Sequence, residues 1–301
     1  MIKYLFSIII ILLVVFMNDV ASSQKKMEID YSKKYRNVKF LPDIVYGKGG
    51  DKDLKLDLFL PENIISQHIG IIFIHGGGWR NLSKEYLKEW GYYFADRGYT
   101  SVSIDYRLSG EAKFPAAIED CKCAVRWMRA NAGKYDINPD KVAVFGESAG
   151  GHLAALLGTS GGAKELEGKG GHRGYSSRPN LVFPVYGVFD LVWRVSNIPS
   201  RGSILYEFIG CSYDECPEKY VRAAPITYID KSDPPFLLFH STGDSAVSFQ
   251  QSVQFEKLLK NAGVPVEFSK TFGSKHGYVL WEPHFKPTCE QMEYFMDKYF
   301  K

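Results

Sequence analysis

Gly146-Glu147-Ser148-Ala149-Gly150 constrains this chain more than any other stretch, because it joins the apolar run Lys141 to Phe145 directly to the helix-like Gly151 to Leu157. Strand, sharp turn and helix in so short a space put the middle serine on a backbone that only small neighbours tolerate. Its hydroxyl is thereby lifted above the carboxyl end of a sheet. The same spacing recurs at Gly158-Thr159-Ser160-Gly161-Gly162, but there it follows a helical stretch and runs into glycines. That second context is a helix end and turn, so Ser148 is selected over Ser160.

The rest of the chain supplies the sheet that such a turn needs. Lys39 to Tyr46 and Lys55 to Leu60 alternate in polarity around Gly47 to Asp51, an antiparallel hairpin pattern. Short apolar runs then alternate with longer amphipathic ones: Ile69 to Ile74 and Lys84 to Arg97, Thr100 to Asp105 and Ala116 to Ala132, Lys141 to Phe145 and Gly151 to Leu157. A glycine-rich loop, Gly158 to Gly174, leads to Leu181 to Tyr186. Phe236 to His240, Ser248 to Ala262, Val266 to Thr271 and Lys286 to Phe300 complete the series. This order predicts an α/β fold, a mostly parallel central sheet with helices on both faces. Residues 190–233 exceed a plain crossover and carry Trp193, Tyr206, Phe208 and Tyr220, so they are expected to form a small helical lid-like insertion over the strand ends.

Residues 1–23 read as a leader. Lys3 precedes the apolar run Leu5 to Met17, and Ala21-Ser22-Ser23 offers small residues at a cleavage site. An uncleaved anchor is the alternative, yet that run falls short of the roughly 20 apolar residues that cross a bilayer. The expectation is a secreted or periplasmic chain with no stable membrane anchor after cleavage. Residues 24–301 then suit a single domain. A formal charge of +3 predicts no nucleic-acid partner. Cys211 and Cys216 lie in a turn-rich stretch that suits a small disulfide ring in an oxidising compartment, the alternative being two unpaired thiols. The cysteine spacings suggest no metal site, no cofactor is expected, and nothing in the sequence fixes an oligomeric state.

A serine hydroxyl is a weak nucleophile near neutral pH and needs a base, which in turn needs an orienting carboxylate. In sheets of this kind the order along the chain is serine, acid, histidine. Of the seven histidines only His276 and His284 follow a plausible acid; His152 is expected to pack beside the serine turn. His276, in Gly273 to Tyr278 beyond the last strand, is preferred to His284, which Pro283 and Pro287 flank. Asp244, just after the strand Phe236 to His240, is the preferred acid and Asp190 its rival, and either also suits a turn or helix cap. His75-Gly76-Gly77-Gly78-Trp79 ends another strand. The N–H groups of Gly77 and Gly78, with that of Ala149, are placed to receive an oxyanion.

The set His75 to Trp79, Gly146 to Gly151, Asp244 and His276-Gly277 resembles the α/β-hydrolase superfamily, specifically the carboxylesterases related to hormone-sensitive lipase and the bacterial acetyl xylan and feruloyl esterase-like group. The resemblance covers nearly all of residues 24–301. It implies the α/β-hydrolase fold, a serine esterase with Ser148, Asp244 and His276 as catalytic residues, and a role for Arg107 and the Phe114-Pro115 loop in shaping the face near the site. Glu147 stands where the lipase-like branch has Asp, which points to the sugar-ester branch. The resemblance implies no counterpart here to the long amino-terminal cap of the lipase-like branch, so 190–233 is expected to be the main lid. Trp79, Phe189, Trp193 and Tyr278 suit stacking on a sugar ring or aryl group, or else pack beneath the lid. The expected substrate is a small-molecule or carbohydrate ester, with acetyl or feruloyl groups on plant cell-wall carbohydrate preferred. A serine peptidase of the same fold and a noncatalytic binding module are the alternatives.

Overall fold

Alternating exposure early in the chain gives way to unbroken burial later, and this change of pattern builds the sheet. β1 (Val38–Gly49) and β2 (Lys52–Pro61) form the expected hairpin, longer at both ends because the ladder continues to Gly49 opposite Lys52. Register shifts between Leu41 and Ile44 and between Val45 and Gly47 bend β1, as suits an edge strand. Every residue of β3 (Gly70–Ile74), β4 (Thr100–Ile104), β5 (Val142–Glu147), β6 (Leu181–Val185) and β7 (Phe236–Ser241) is buried. β8 (Val266–Thr271) closes the far edge, where its side chains stay partly exposed. The strand order is β1-β2-β4-β3-β5-β6-β7-β8; β2 is antiparallel to both its neighbours, and all pairings from β4 to β8 are parallel.

This computed structural model describes residues 29–197 and 202–301, in two bodies that divide after Arg36. The expected leader, 1–23, lies outside the described residues. In the first body a single helical turn, Tyr31–Lys34, is started by Asp30, whose carboxylate accepts the Ser32 N–H at 3.2 Å.

In the second body, helices cover both faces of the sheet. Successive strand residues point to opposite sides, so Phe73, Phe145 and Phe183 meet Trp90, Phe94 and Phe295 of the helices Lys88–Ala95 and Phe285–Tyr299. Ile72, Ile74, Val144 and Val182 belong to the other core, under the helices Ala116–Ala130, Ala149–Thr159 and Gln250–Asn261. Each such side chain, fully buried, contributes about 1.5–3 kcal/mol. The expected helix from Lys84 begins instead as a 3₁₀ turn, Lys84–Leu87. Lys84 is pinned there: its N–H donates to Asp105 Oδ1 at 2.9 Å and its buried ammonium pairs with Asp57 at 2.9 Å.

Between β6 and β7 the described residues include the short α-helices Leu191–Asn197, Gly202–Ile209 and Pro217–Ala223 and a 3₁₀ turn, Pro225–Tyr228. Leu205, Phe208, Ile209 and Tyr220 enter the core, and a disulfide joins Cys211 to Cys216. The glycine-rich loop is tied down as well. Glu167 accepts from Lys122 Nζ at 2.8 Å, Arg126 Nη1 at 2.7 Å and Ser177 Oγ at 2.7 Å. From β3 the chain passes to β4 on one side and then to β5 on the other. Such a reversal opens a crevice outside the carboxyl ends of the strands, and loops after β3 and β5 meet there.

Candidate active site

Ser148 sits between β5 and the helix Ala149–Thr159 with φ +55° and ψ −115°, a left-handed conformation costing a side-chain-bearing residue about 1–3 kcal/mol. The neighbours show how the turn is held. A Cβ on Gly146 would lie 2.0 Å from the Gly150 carbonyl oxygen, and one on Gly150 would lie 2.0 Å from that of Ile74. Both positions must be glycine for the chain to fold back so tightly. The Ser148 N–H donates to the Val185 carbonyl at 2.9 Å, and the His152 N–H to that of Ser148 at 3.0 Å, starting the helix.

The loops after β7 and β8 bring the partners. His276 Nε2 lies 2.9 Å from Ser148 Oγ, and its Nδ1 lies 2.6 Å from Asp244 Oδ2. The Asp244 carboxylate is almost wholly buried, while the His276 ring is a quarter exposed. Asp244 Oδ1 accepts the N–H groups of Ala246 and Val247 at 2.8 and 2.9 Å, and Oδ2 also faces His240 Nε2 at 3.2 Å. Burial alone would raise the Asp244 pKa; hydrogen bonds from His240, His276 and Val247 and the charge of His276 outweigh it and hold the carboxyl well below the usual carboxylate range. Tyr186 packs on His276, ring centroids 4.4 Å apart.

The glycine loop is held from below. The Gly76 N–H donates to Glu147 Oε1 at 2.6 Å, and Tyr106 donates its hydroxyl to the carbonyls of His75 and Gly76, both at 3.1 Å. His75 stacks on Tyr106 at 4.4 Å, and burial lowers its pKa to about 4, so it stays neutral. Burial raises Glu147 to about 7, against the lowering effect of the His276 charge, the Gly76 N–H and the Tyr186 phenol. Among the described residues, none accepts a hydrogen bond from the N–H groups of Gly77, Gly78 or Ala149. All three residues line, with Ser148, a cavity of about 270 Å³.

The remaining expected residues divide. Trp79 borders this cavity, but Phe208 covers its ring face at 4.6 Å, and its Nε1–H donates to His152 Nδ1 at 3.1 Å. Phe189 corrects the expectation of a substrate-facing aromatic: it is fully buried, stacked on Phe255 at 4.3 Å. Tyr278 is largely buried beside Tyr186 and His284, and neither it nor Trp193 borders the cavity. His152 packs beside the serine turn, donating from Nε2 to the Ala223 carbonyl at 2.8 Å; burial lowers its pKa to about 4. His284 precedes the last helix, 3.2 Å from Ser274 Oγ. Asp190 caps a helix, accepting the Trp193 N–H at 2.8 Å. Ser160 is fully buried and donates its hydroxyl to the Leu156 carbonyl. Arg107 turns away to Asp120 at 2.7 Å and Glu119 at 3.1 Å, and Phe114 supports Phe208 instead of meeting the cavity.

Sequence reasoning missed that Val188, Arg194, Ile204, Ala246 and Val247 also line this cavity. It also set His240 aside as a base and so overlooked its place behind Asp244, although four residues of separation at a strand end were a usable signal.

Comparison with known proteins adds to this geometry. The family model described as BD-FAE matches residues 56–259. Esterase LipQ of Mycobacterium tuberculosis is 31% identical over 246 residues, 79% of this chain and 57% of that protein. The chain spans a little over half the length of the curated relatives it matches. Among solved structures, a bifunctional GH43-CE protein of Bacteroides eggerthii has a TM-score of 0.77 and 33% identity, over 86% of this chain and 38% of its own. A truncated carbohydrate esterase from gut microbiota has a TM-score of 0.77 and 29% identity, over 87% of this chain and 97% of its own.

Proposed function

The chain belongs to the BD-FAE family, and from that membership we propose that it is an exported serine esterase that removes short acyl groups from carbohydrate. The observation that carries the reading is the hydrogen-bonded series Ser148, His276, Asp244, whose serine lines the same cavity as Gly77, Gly78 and Ala149.

In this mechanism Ser148 Oγ attacks the ester carbonyl while His276 Nε2 takes its proton. Asp244 holds the imidazole by Nδ1 and stabilises the imidazolium that forms. The carbonyl oxygen becomes an oxyanion and accepts from Gly77, Gly78 and Ala149, each donor contributing about 3 kcal/mol at the transition state. His276 then gives the proton to the leaving alcohol, and an acyl group remains on Ser148. Water, deprotonated by the same imidazole, attacks the acyl-enzyme; the second tetrahedral intermediate collapses to release the acid and restore the serine.

Cavity size supports short acyl groups. About 270 Å³ falls under the roughly 300–1,000 Å³ of sites that enclose drug-sized ligands. Resemblance to a carbohydrate esterase and to a GH43-CE protein supports a sugar as the alcohol, with feruloyl esters as the close alternative to acetyl. Arg194 and Ile204 of the insertion line the cavity, which supports a lid role for 190–233. Export is supported by the apolar leader at 1–23 and by the Cys211–Cys216 disulfide. The deciding comparison is kcat/KM for acetyl against octanoyl nitrophenyl esters, beside acetylated xylan and feruloylated sugar. Acetyl is expected to lead; a clear preference for octanoyl would overturn the carbohydrate reading.

A further inference from the structure

His240 is fully buried at the end of β7, and both of its ring nitrogens are engaged. Nδ1 lies 2.7 Å from Ser252 Oγ, on the helix Gln250–Asn261. Nε2 lies 3.2 Å from Asp244 Oδ2 and 3.2 Å from the Val247 carbonyl oxygen. Two acceptors face Nε2, so that nitrogen must carry the hydrogen; a lone pair there would meet two others. Aromatic rings of Tyr186 and Phe249 enclose the imidazole at 6.4 and 5.5 Å.

We propose that His240 is a positioning residue for the esterase reaction, holding Asp244 Oδ2 in line with His276 and tying the Asp244–Val247 turn to the sheet. The proposal rests on the Ser148, His276, Asp244 reading and extends the series backward through His240 to Ser252. Its physical basis is the way Asp244 is held. Two backbone N–H groups fix Oδ1, and two imidazoles share Oδ2. Without the His240 donor, Oδ2 is free to rotate out of line with His276 Nδ1. The carboxylate also becomes a stronger base, so its hydrogen bond to the His276 imidazolium strengthens relative to that with neutral imidazole. The titratable groups around Asp244 are His240, His276, Tyr186 and Tyr278, and of these only His240 and His276 touch its carboxylate.

The test compares His240→Leu, His240→Gln, Ser252→Ala and Ser148→Ala in steady-state hydrolysis of nitrophenyl acetate. A glutamine amide nitrogen reaches about where Nε2 stands and restores the donor; leucine fills the space without one. His240→Leu is expected to lower kcat about 10- to 100-fold, the loss typical of a hydrogen bond to a charged group, with KM within about threefold. Its acid limb of kcat/KM is expected to move up by roughly half a pH unit or more. His240→Gln should recover most of kcat and return the limb, and Ser252→Ala should fall between. Should His240→Leu fail to fold by thermal melting, the contrast of Gln with Ser252→Ala decides: kcat nearer to wild type in Gln supports the proposal. Equal kcat losses in Gln and Leu with an unmoved acid limb, or wild-type kinetics in Leu, would overturn it. Ser148→Ala separates the two levels. If it is inactive while His240→Leu is wild-type, only the His240 role fails; if Ser148→Ala retains activity, the serine reading itself fails.

Discussion

Glu147→Gln exchanges a buried carboxyl for a neutral group of the same shape directly beside Ser148. Burial lifts Glu147 from 4.5 to about 7, a displacement corresponding to about 3 kcal/mol. The sign follows from proton binding. Below pH 4.5 the group is protonated in both folded and unfolded chains and has no effect on stability. Between pH 4.5 and about 7 the unfolded chain has lost the proton and the folded one retains it, so stability falls as pH rises. Above about 7 the full loss is present. Glutamine does not titrate, and its amide oxygen still accepts the Gly76 N–H that Glu147 holds at 2.6 Å. Urea denaturation at half-unit steps from pH 4.5 to 8.5 should therefore find the variant gaining about 3 kcal/mol on the wild type across that range. A difference that stays flat would refute the assignment of a buried, proton-retaining Glu147. Kinetics give a second reading from the same variant. Because Glu147 keeps its proton below about pH 7, the exchange removes little charge there and should leave the acid limb of kcat/KM largely unmoved.

Two further expectations rest on separate parts of the molecule. Asp244→Asn should lower kcat by about 10³–10⁴-fold, because an amide neither stabilises an imidazolium nor enforces the tautomer, whereas Asp190→Asn should leave kcat near wild type, since asparagine caps the helix at Trp193 equally well; the reverse ranking moves the acid to Asp190. Cys211 and Cys216 close a ring over a sequence separation of 5, so the double serine variant should lose about 2 kcal/mol by urea denaturation; an unchanged midpoint would remove any stabilising role for the bridge.

Much of the fold was legible because parallel strands covered on both faces must be apolar throughout. β5, β6 and β7 accordingly lie within a residue or two of the runs read from sequence. Ser148 was legible through steric demand, since few chains place small residues on both sides of a serine between strand and helix. The aromatics were not. A ring that faces a substrate and one that faces the core have the same composition, and Phe189 turned out to stack on Phe255. Helix onset at Lys84 was obscured for a similar reason: the ion pair with Asp57 that holds it in a 3₁₀ turn joins residues distant in sequence. His240 illustrates the limit of ordering rules. Set aside as a base, it lies instead against the acid that serves another histidine.

Covalent trapping tests the central claim most directly, because acyl transfer through Ser148 predicts where a serine-reactive phosphoryl ester must attach. After treatment with an organophosphate, peptide mass spectrometry should locate one adduct on Ser148. It should appear equally in Ser160→Ala and be missing, along with ester hydrolysis, in Ser148→Ala. An adduct on Ser160, or hydrolysis that survives in Ser148→Ala, would contradict the account.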